Sequence, residues 1–225
     1  MNENPLSKER YQNYLLVEGS DDKHVFHHLL DYYQIRDKFK RRDEPFEIID
    51  HQGIDNLLNL KTIRTYLKGN PLRRFGIVVD ADTDLAVCWQ RIQDILERSG
   101  YTIIPREPHL EGIVIKQDER PIVGIWLMPD NNITGMIEHF VSFLRPSDDI
   151  LWPMAEDVVL KVVETKRHFP EGHEIKAELH TWLAWQKEPG KPLGQAITAR
   201  YLDADAPHAQ HFMDWIRKLF DLETV

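Results

Sequence analysis

The sequence predicts an α/β protein with a mostly parallel, Rossmann-like sheet flanked by helices, followed by a helical C-terminal extension. Short apolar segments alternate with amphipathic helical patterns from residue 14 to about residue 128, which is the order expected of βαβ units. Two of these apolar segments run directly into acidic residues that precede a helical pattern. From Pro146 onward only helical patterns follow, punctuated by proline and glycine. We therefore expect an α/β domain at residues 1–145 and a helical region at residues 146–225 packed on it.

The hydrophobic pattern also predicts the individual elements. Strands are expected at residues 14–17, 46–49, 77–79 and 101–104, and a hairpin joins residues 112–115 to residues 122–128. Helices are expected over residues 20–33, 54–67, 85–99, 134–144, 149–165, 173–186 and 207–219. The candidate N-caps of three of these helices are Ser20, either Asp82 or Thr83, and Thr134.

The composition is that of an ordinary globular protein, with 225 residues of which 42% are hydrophobic and 29% charged. A net charge of −9 argues against nonspecific coating of nucleic acid, but it is compatible with an acidic enzyme that acts on nucleic acid. The single cysteine, Cys88, excludes an intramolecular disulfide, and no Cys/His cluster has zinc-ligand spacing. Residues 1–10 are polar and no apolar run reaches membrane-spanning length, so we expect a cytoplasmic protein without a membrane partner.

Asp80 and Asp82 follow a run of β-branched residues at 77–79, which suits a strand covered on both faces. They would lie at the carboxyl end of a parallel strand, the edge at which open α/β sheets bind ligands. Carboxylates two residues apart can be turned toward one point, where a divalent cation would relieve their repulsion. The alternative interpretation is that these acids only cap the following helix and compensate its dipole.

Glu18 repeats this layout after the first predicted strand, and Asp22 follows it in the first turn of the next helix. Gly19 allows a tight turn and leaves room beside the carboxylate. If the two strands are neighbours, Glu18 and the pair Asp80 and Asp82 converge at one edge of the sheet, and Asp22 can face the same point. Compensation of the helix dipole is the alternative explanation for Asp22.

Two further candidates lie later in the chain. Glu138 falls in the first turns of a helix that follows a strand and a loop, and it could also be an ordinary exposed helical residue. Lys176 lies one helical turn before His180, so the two share a face. A functional interpretation makes Lys176 a phosphate or transition-state contact, whereas the alternative is a surface lysine.

Arginines provide candidate nucleic-acid contacts. Arg41 and Arg42 end a basic cluster at residues 36–42, which is either a solvated loop or a patch that steers phosphate. Arg73 and Arg74 precede the central strand and are further candidates.

The segments Leu15-Leu16-Val17-Glu18-Gly19-Ser20-Asp21-Asp22 and Val78-Val79-Asp80-Ala81-Asp82, about sixty residues apart on successive βα units, resemble the Toprim domain. This is the catalytic module of type II topoisomerases, bacterial primases and OLD-family nucleases, and the resemblance covers roughly residues 12–145. The whole chain is also similar to a small uncharacterised bacterial Toprim-like family, through the segments at residues 128–138 and 176–194.

The resemblance implies a Toprim-like fold and a divalent-metal-dependent phosphodiesterase that acts on nucleic acid with Mg²⁺ or Mn²⁺. Glu18 would be a metal ligand or a general acid/base, and Asp80 and Asp82 would be metal ligands. The spacing from Glu18 to Asp22 is similar to that in OLD nucleases, where both acids serve the metal, and their later acidic position falls near Glu138. Since no ATPase domain, primase-type zinc region or topoisomerase tyrosine is visible, nuclease-like chemistry is favoured, with Lys176 as a catalytic contact.

Two other functions stay open. The chain could be a catalytically inactive Toprim-like module that binds a protein partner or assembles as a homo-oligomer. It could also be a receiver-like phospho-acceptor, although no downstream Thr/Ser and Lys pair at strand ends supports this. The sequence does not distinguish DNA from RNA as the substrate.

Overall fold

The computed structural model describes residues 13–35, 45–68 and 73–222. Its centre is a five-stranded sheet of order β2-β1-β3-β5-β4, in which β4 alone runs antiparallel to its neighbour. The strands are β1 (Tyr14–Val17), β2 (Glu47–Asp50), β3 (Arg74–Asp80), β4 (Ile113–Ile115) and β5 (Ile122–Met128). The helices described are α1 (Ser20–Tyr32), α2 (Ile54–Leu57), α3 (Leu60–Tyr66), α4 (Leu85–Arg98), α5 (Ile137–Phe143), α6 (Trp152–Lys166), α7 (Glu174–Ala184), α8 (Leu193–Thr198) and α9 (Pro207–Phe220). The predicted class, an α/β fold with a mostly parallel sheet and flanking helices, is confirmed.

The sheet is buried on both faces, because successive side chains of each strand enter different apolar cores. In β1, Leu15 and Val17 join the core formed with α1, α5 and α9, whereas Leu16 joins the core formed with α3 and α4. Val78 and Val79 of β3 divide in the same way. This arrangement explains why the central strands are continuously apolar in sequence.

Helices from the C-terminal region complete one face of this sheet. The indole Nε1 of Trp215 in α9 donates a hydrogen bond of 3.0 Å to the carbonyl of Ile113 in β4. Helix α8 packs on α1, and α6 packs on α7, which contacts α5. One apolar core is therefore continuous across the predicted boundary between residues 145 and 146.

Gly124 in β5 permits the close approach of α9. A Cβ atom at this position would lie 2.4 Å from Cδ2 of Leu219 and 2.9 Å from Cζ2 of Trp215. We expect Gly124→Ala to lower the free energy of unfolding by roughly 1–3 kcal/mol, because the added methyl group overpacks a buried contact. Urea denaturation measures this loss. Leu219→Ala provides the control, because it makes room for the methyl group. The variant that carries both substitutions should lose less free energy of unfolding than the sum of the two single losses. Strict additivity would contradict the packing explanation.

Two element predictions were wrong, and one helix was not predicted. Residues 101–104 form no strand, because the Thr102 amide donates to a side chain, Gln117 Oε1, at 2.8 Å, and the Tyr101 hydroxyl anchors the segment on the Pro121 carbonyl at 2.7 Å. The helix expected over residues 54–67 is divided into α2 and α3, since the Asn59 side chain caps α3 by accepting from the Lys61 amide. Helix α8 was not predicted.

The observed N-caps differ from the predicted ones by one or two residues. Helix α1 begins at Ser20 with Gly19 as its N-cap. Helix α4 is capped by Asp84, which accepts from the Val87 amide at 3.0 Å. Helix α5 begins after Met136, not after Thr134. Within the ranges that the structure describes, no helix is long and apolar enough to cross a membrane.

Candidate metal centre at the carboxyl edge of the sheet

The site begins with the pairing of β1 and β3, which are parallel neighbours, so the condition for the convergence of Glu18 with Asp80 and Asp82 is met. Their register aligns Val17 with Val78, so the residues that follow both strands emerge side by side. The Asp80 amide points to Glu18 Oε2 at 3.5 Å, which brings the two predicted acids into direct proximity. The proximity of Glu18 and Asp80 therefore follows from strand register and not from any local sequence feature.

Beyond this edge lies a cleft of about 630 Å³, which we call the acidic cleft. Its lining includes all five predicted metal ligands and the predicted catalytic lysine, which are Glu18, Asp22, Asp80, Asp82, Glu138 and Lys176. Three of these positions lie at the carboxyl end of β1 and β3 or in the loops that follow, the first turns of α1 and α5 supply two, and α7 supplies the lysine. The structure thus brings together residues that span most of the described chain, although their chemical roles stay predictions.

Asp22 is the most enclosed of these acids, with 5% of its surface exposed. Its Oδ2 accepts a hydrogen bond of 3.1 Å from the Gly19 amide and so closes the first turn of α1. Its Oδ1 is buried and has no hydrogen-bond partner among the residues that the structure describes. Burial, followed by the nearby charges of Glu18 and Glu138, raises the pKa of Asp22 to about 7. A neutral carboxyl is therefore favoured here unless a cation is supplied.

Asp80 lies at the centre of the same cluster. Its Oδ1 accepts a hydrogen bond of 3.0 Å from the Ile137 amide at the start of α5, which fixes the orientation of the carboxyl group. Burial raises the pKa of Asp80 well above its ordinary value, and the charges of Asp22, Glu18 and Glu138 add to this effect. Burial also raises the pKa of Glu18, with a further contribution from Asp82.

Asp82 is held by an unusual backbone conformation. Its φ of 50° lies in the left-handed region, and its amide donates to the Gly135 carbonyl at 2.9 Å in an isolated antiparallel bridge. This bridge ties the loop after β3 to the loop before α5, so the exposed Asp82 lies over the cleft. Partial burial raises the pKa of Asp82, and the charge of His173 opposes that rise.

Glu138 and Lys176 form an ion pair across the cleft wall. Lys176 Nζ lies 2.8 Å from Glu138 Oε1, and the glutamate side chain is 3% exposed whereas the lysine side chain is 42% exposed. Hydrogen bonding to Glu138 raises the pKa of Lys176 above its ordinary value, so the lysine is cationic at neutral pH. The interpretation of Glu138 as an exposed helical residue is therefore wrong, whereas Lys176 is a partly exposed lysine that is paired with one of the acids.

Sequence reasoning gave no role at the site to three ionisable residues of the cleft, which are Asp21, Asp50 and His173. Asp50 ends β2, the other neighbour of β1, and its Oδ2 lies 3.5 Å from Lys23 Nζ. The strand-end argument used for Glu18 could have identified it. His173 precedes α7 and lies three residues before Lys176, so the same helical face could have indicated it.

The predicted nucleic-acid contacts do not gather at this site. Arg41 and Arg42 lie outside the described residues. Arg73 and Arg74 lie at the start of β3, at the opposite end of a seven-residue strand and therefore roughly 20 Å from Asp80. The Arg74 guanidinium bonds the Leu219 carbonyl at 2.8 Å and Asp221 at 3.1 Å, so it fastens the end of α9. A phosphate held in the acidic cleft is out of reach of both arginines.

The chemistry of the cleft fits a hard divalent cation. Its acids are Glu18, Asp21, Asp22, Asp50, Asp80, Asp82 and Glu138, whereas its basic residues are Lys176 and His173. Within residues 13–35, 45–68 and 73–222, no three His, Cys, Asp or Glu side chains already form one ligand set, so binding would require rotation of exposed acids such as Asp82. The unpartnered Oδ1 of Asp22 nevertheless provides a buried oxygen donor, the ligand type that Mg²⁺ prefers.

The fold and this cleft together define an α/β protein with a candidate metal centre at the carboxyl edge of a mostly parallel sheet. The chain belongs to the family DUF3226, described as a protein of unknown function, which matches residues 12–221. No curated protein matches the chain. Among solved structures, the chain is similar to the C-terminal region of the Xanthomonas campestris pv. campestris OLD protein, at 13% identity and a TM-score of 0.48, with 96% of this chain and 98% of that chain covered.

Proposed function

We propose that this protein is a divalent-metal-dependent phosphodiesterase of the Toprim type that acts on nucleic acid. The observation that carries the proposal is the buried, unpartnered Oδ1 of Asp22 in a cleft whose carboxylates outnumber its cations. Burying such acids without a partner is costly, and a bound divalent cation removes that cost. The two motifs that resemble the Toprim domain, at Glu18 and at Asp80 and Asp82, supply the reaction class.

Glu18, Asp22, Asp80, Asp82 and Glu138 would hold Mg²⁺ or Mn²⁺. When bound, such an ion activates water and stabilises the charge that develops on a scissile phosphate. Glu18, whose pKa is raised above its ordinary value by burial, would hold or release a proton at its carboxyl group. Lys176, cationic beside Glu138, is placed to contact a phosphate oxygen at the cleft wall.

Nucleic acid is the proposed substrate class because the motifs at Glu18 and at Asp80 and Asp82 resemble those of enzymes that act on nucleic acid, and these carboxylates would hold a cation able to neutralise a phosphodiester. Without the cation the cleft repels phosphate, since its acids exceed its bases. Among the described residues that line the cleft, the His173 imidazole is the one aromatic group, so this lining offers little platform for base stacking. We therefore expect recognition through the sugar-phosphate backbone, with little dependence on base identity.

Calorimetric titration of Mn²⁺ tests the proposed metal centre. We expect saturable binding to the wild type, and a loss of affinity of more than about tenfold in Asp22→Asn and in Asp80→Asn, since each removes a charged oxygen ligand. Asp118→Asn is the matched control, because Asp118 is exposed and follows β4 at the opposite end of the sheet. Both variants should keep the wild-type circular dichroism spectrum.

A second titration includes a short oligonucleotide, because Mg²⁺-type sites often need a substrate phosphate to complete their coordination. Absence of saturable binding with and without the oligonucleotide contradicts the proposed metal centre. Equal binding by the wild type and both cleft variants contradicts the assignment of the ligands.

A further inference from the structure

Helix α6 carries apolar side chains that no described part of the chain covers. Met154 is 54% exposed, Val158 is 43% exposed and Val162 is 40% exposed. Residues four apart lie on one face of a helix, so these three form a continuous row, which we call the apolar stripe. Isolated exposed apolar residues are common, but a row along three turns of one helix indicates a contact surface.

The position of α6 strengthens this interpretation. Its inward face is formed by Trp152, Ala155 and Val159, which are buried against the rest of the molecule. The helix packs chiefly on α7, so its outward face lies at the periphery. The apolar stripe lies beside this inward face, so the apolar surface of α6 extends past the part that the described chain covers. The described chain covers α6 on one side.

Two opposite charges lie beside the stripe. Asp157 and Lys161 are exposed and one helical turn apart, between the levels of Met154 and Val162. Within residues 13–35, 45–68 and 73–222, neither side chain has an ion-pair or hydrogen-bond partner. Among the described residues neither Asp157 nor Lys161 is paired, although both lie next to the apolar stripe. A partner surface that presents a base opposite Asp157 and an acid opposite Lys161 would pair with both.

We propose that the apolar stripe is a homodimer interface, in which α6 of a second copy of this chain packs antiparallel on α6. The two-fold axis passes at the level of residue 159. A residue that lies a given number of positions after 159 in one helix is therefore level with the residue that lies the same number of positions before 159 in the other. Val162 then lies between Met154 and Val158 of the partner subunit, so the two rows interdigitate as ridges into grooves. The same axis places Asp157 opposite Lys161 of the partner subunit, and Lys161 opposite Asp157 of the partner subunit.

These features favour a second copy of this chain as the binding partner. A single two-fold axis both packs the two apolar stripes together and pairs the opposite charges. Such a self-complementary patch is the requirement for an isologous two-fold interface. A single pair of four-turn helices buries less than the roughly 1,200–2,000 Å² of a standard interface, so we expect a dissociation constant in the micromolar range. The acidic cleft is lined by other elements, and the proposal is independent of the function proposed for it.

Sedimentation velocity of the full chain, from low to high micromolar concentration, tests the interface. We expect the wild type to pass from monomer to dimer, and Val158→Glu to remain monomeric because it buries a charge at the centre of the stripe. Leu160→Glu is the matched control, since Leu160 is 56% exposed on another side of the same helix. It should dimerise like the wild type, and both variants should show the wild-type circular dichroism spectrum. A monomeric wild type, or a dimer that survives in Val158→Glu, overturns the proposal.

Exchanging the two charges distinguishes the proposed antiparallel dimer from nonspecific hydrophobic association through the apolar stripe. Lys161→Asp places two carboxylates opposite each other in the proposed pair, so we expect the dimer to weaken more than about tenfold. Adding Asp157→Lys restores opposite charges across the axis and should return dimerisation to nearly the wild-type strength. A double variant as weak as Lys161→Asp overturns the antiparallel arrangement.

Discussion

Asp80→Asn should abolish metal-dependent cleavage of nucleic acid while leaving the protein folded. The asparagine Oδ1 can still accept the hydrogen bond from the Ile137 amide, so the start of α5 keeps its anchor. The substitution removes the charge of the most central acid of the acidic cleft. Since even residues that only orient metal ligands contribute about 10- to 100-fold, we expect loss of a direct ligand to lower the cleavage rate by more than about 100-fold.

The measurement is the initial rate of cleavage of fluorescent single-stranded DNA and RNA oligonucleotides with Mn²⁺ or Mg²⁺. Asp118→Asn should cleave like the wild type, and chelation of the metal should stop both proteins. Full metal-dependent cleavage by Asp80→Asn contradicts its assignment as a ligand. The wild type could bind Mn²⁺ and cleave neither oligonucleotide. That result contradicts the proposed reaction but not the proposed metal centre.

Asp22→Asn should stabilise the metal-free protein at neutral and alkaline pH. The pKa of Asp22 is about 7 in the folded chain and 3.8 for an ordinary aspartate. Between these values the folded protein holds a proton that the unfolded chain has released, so the stability of the wild type falls as pH rises through this window. The neutral asparagine has no such dependence. We therefore expect the variant to gain roughly 2–4 kcal/mol at pH 8 and nearly nothing at pH 4.

Urea denaturation in the presence of a chelator, at several pH values from 4 to 8, measures the difference in the free energy of unfolding. Asp118→Asn should be indistinguishable from the wild type throughout. Saturating Mn²⁺ should reverse the order at neutral pH, since the wild type gains binding energy that Asp22→Asn has lost. A gain that does not change with pH would show that burial of the Asp22 charge is not its cause.

The acids at the strand ends show which features of the fold a local sequence pattern can predict. Glu18 and Asp80 were placed at strand ends because apolar runs that stop in acid, followed by helical spacing, have few other structural explanations. The hairpin from β4 to β5 was also predictable from the sequence, because a segment rich in turn residues separates two apolar runs. The segment at 101–104 misled the same reasoning, because its apolar residues resemble a strand in sequence although the Thr102 amide bonds the Gln117 side chain and not a neighbouring strand.

The sequence alone determined the α/β class, the most apolar strands and the acids at their ends, because burial and helical periodicity are encoded in neighbouring residues. Tertiary structure decided which of these acids meet. The order of the strands puts β1 beside β3, and the α7 helix brings Lys176 to Glu138. It also decided that Asp22 is buried with an unpartnered oxygen and that Arg74 fastens α9 at the far end of the sheet. These outcomes depend on contacts between residues distant in the chain, and no local pattern of residue types records which distant element will pack against a given side chain.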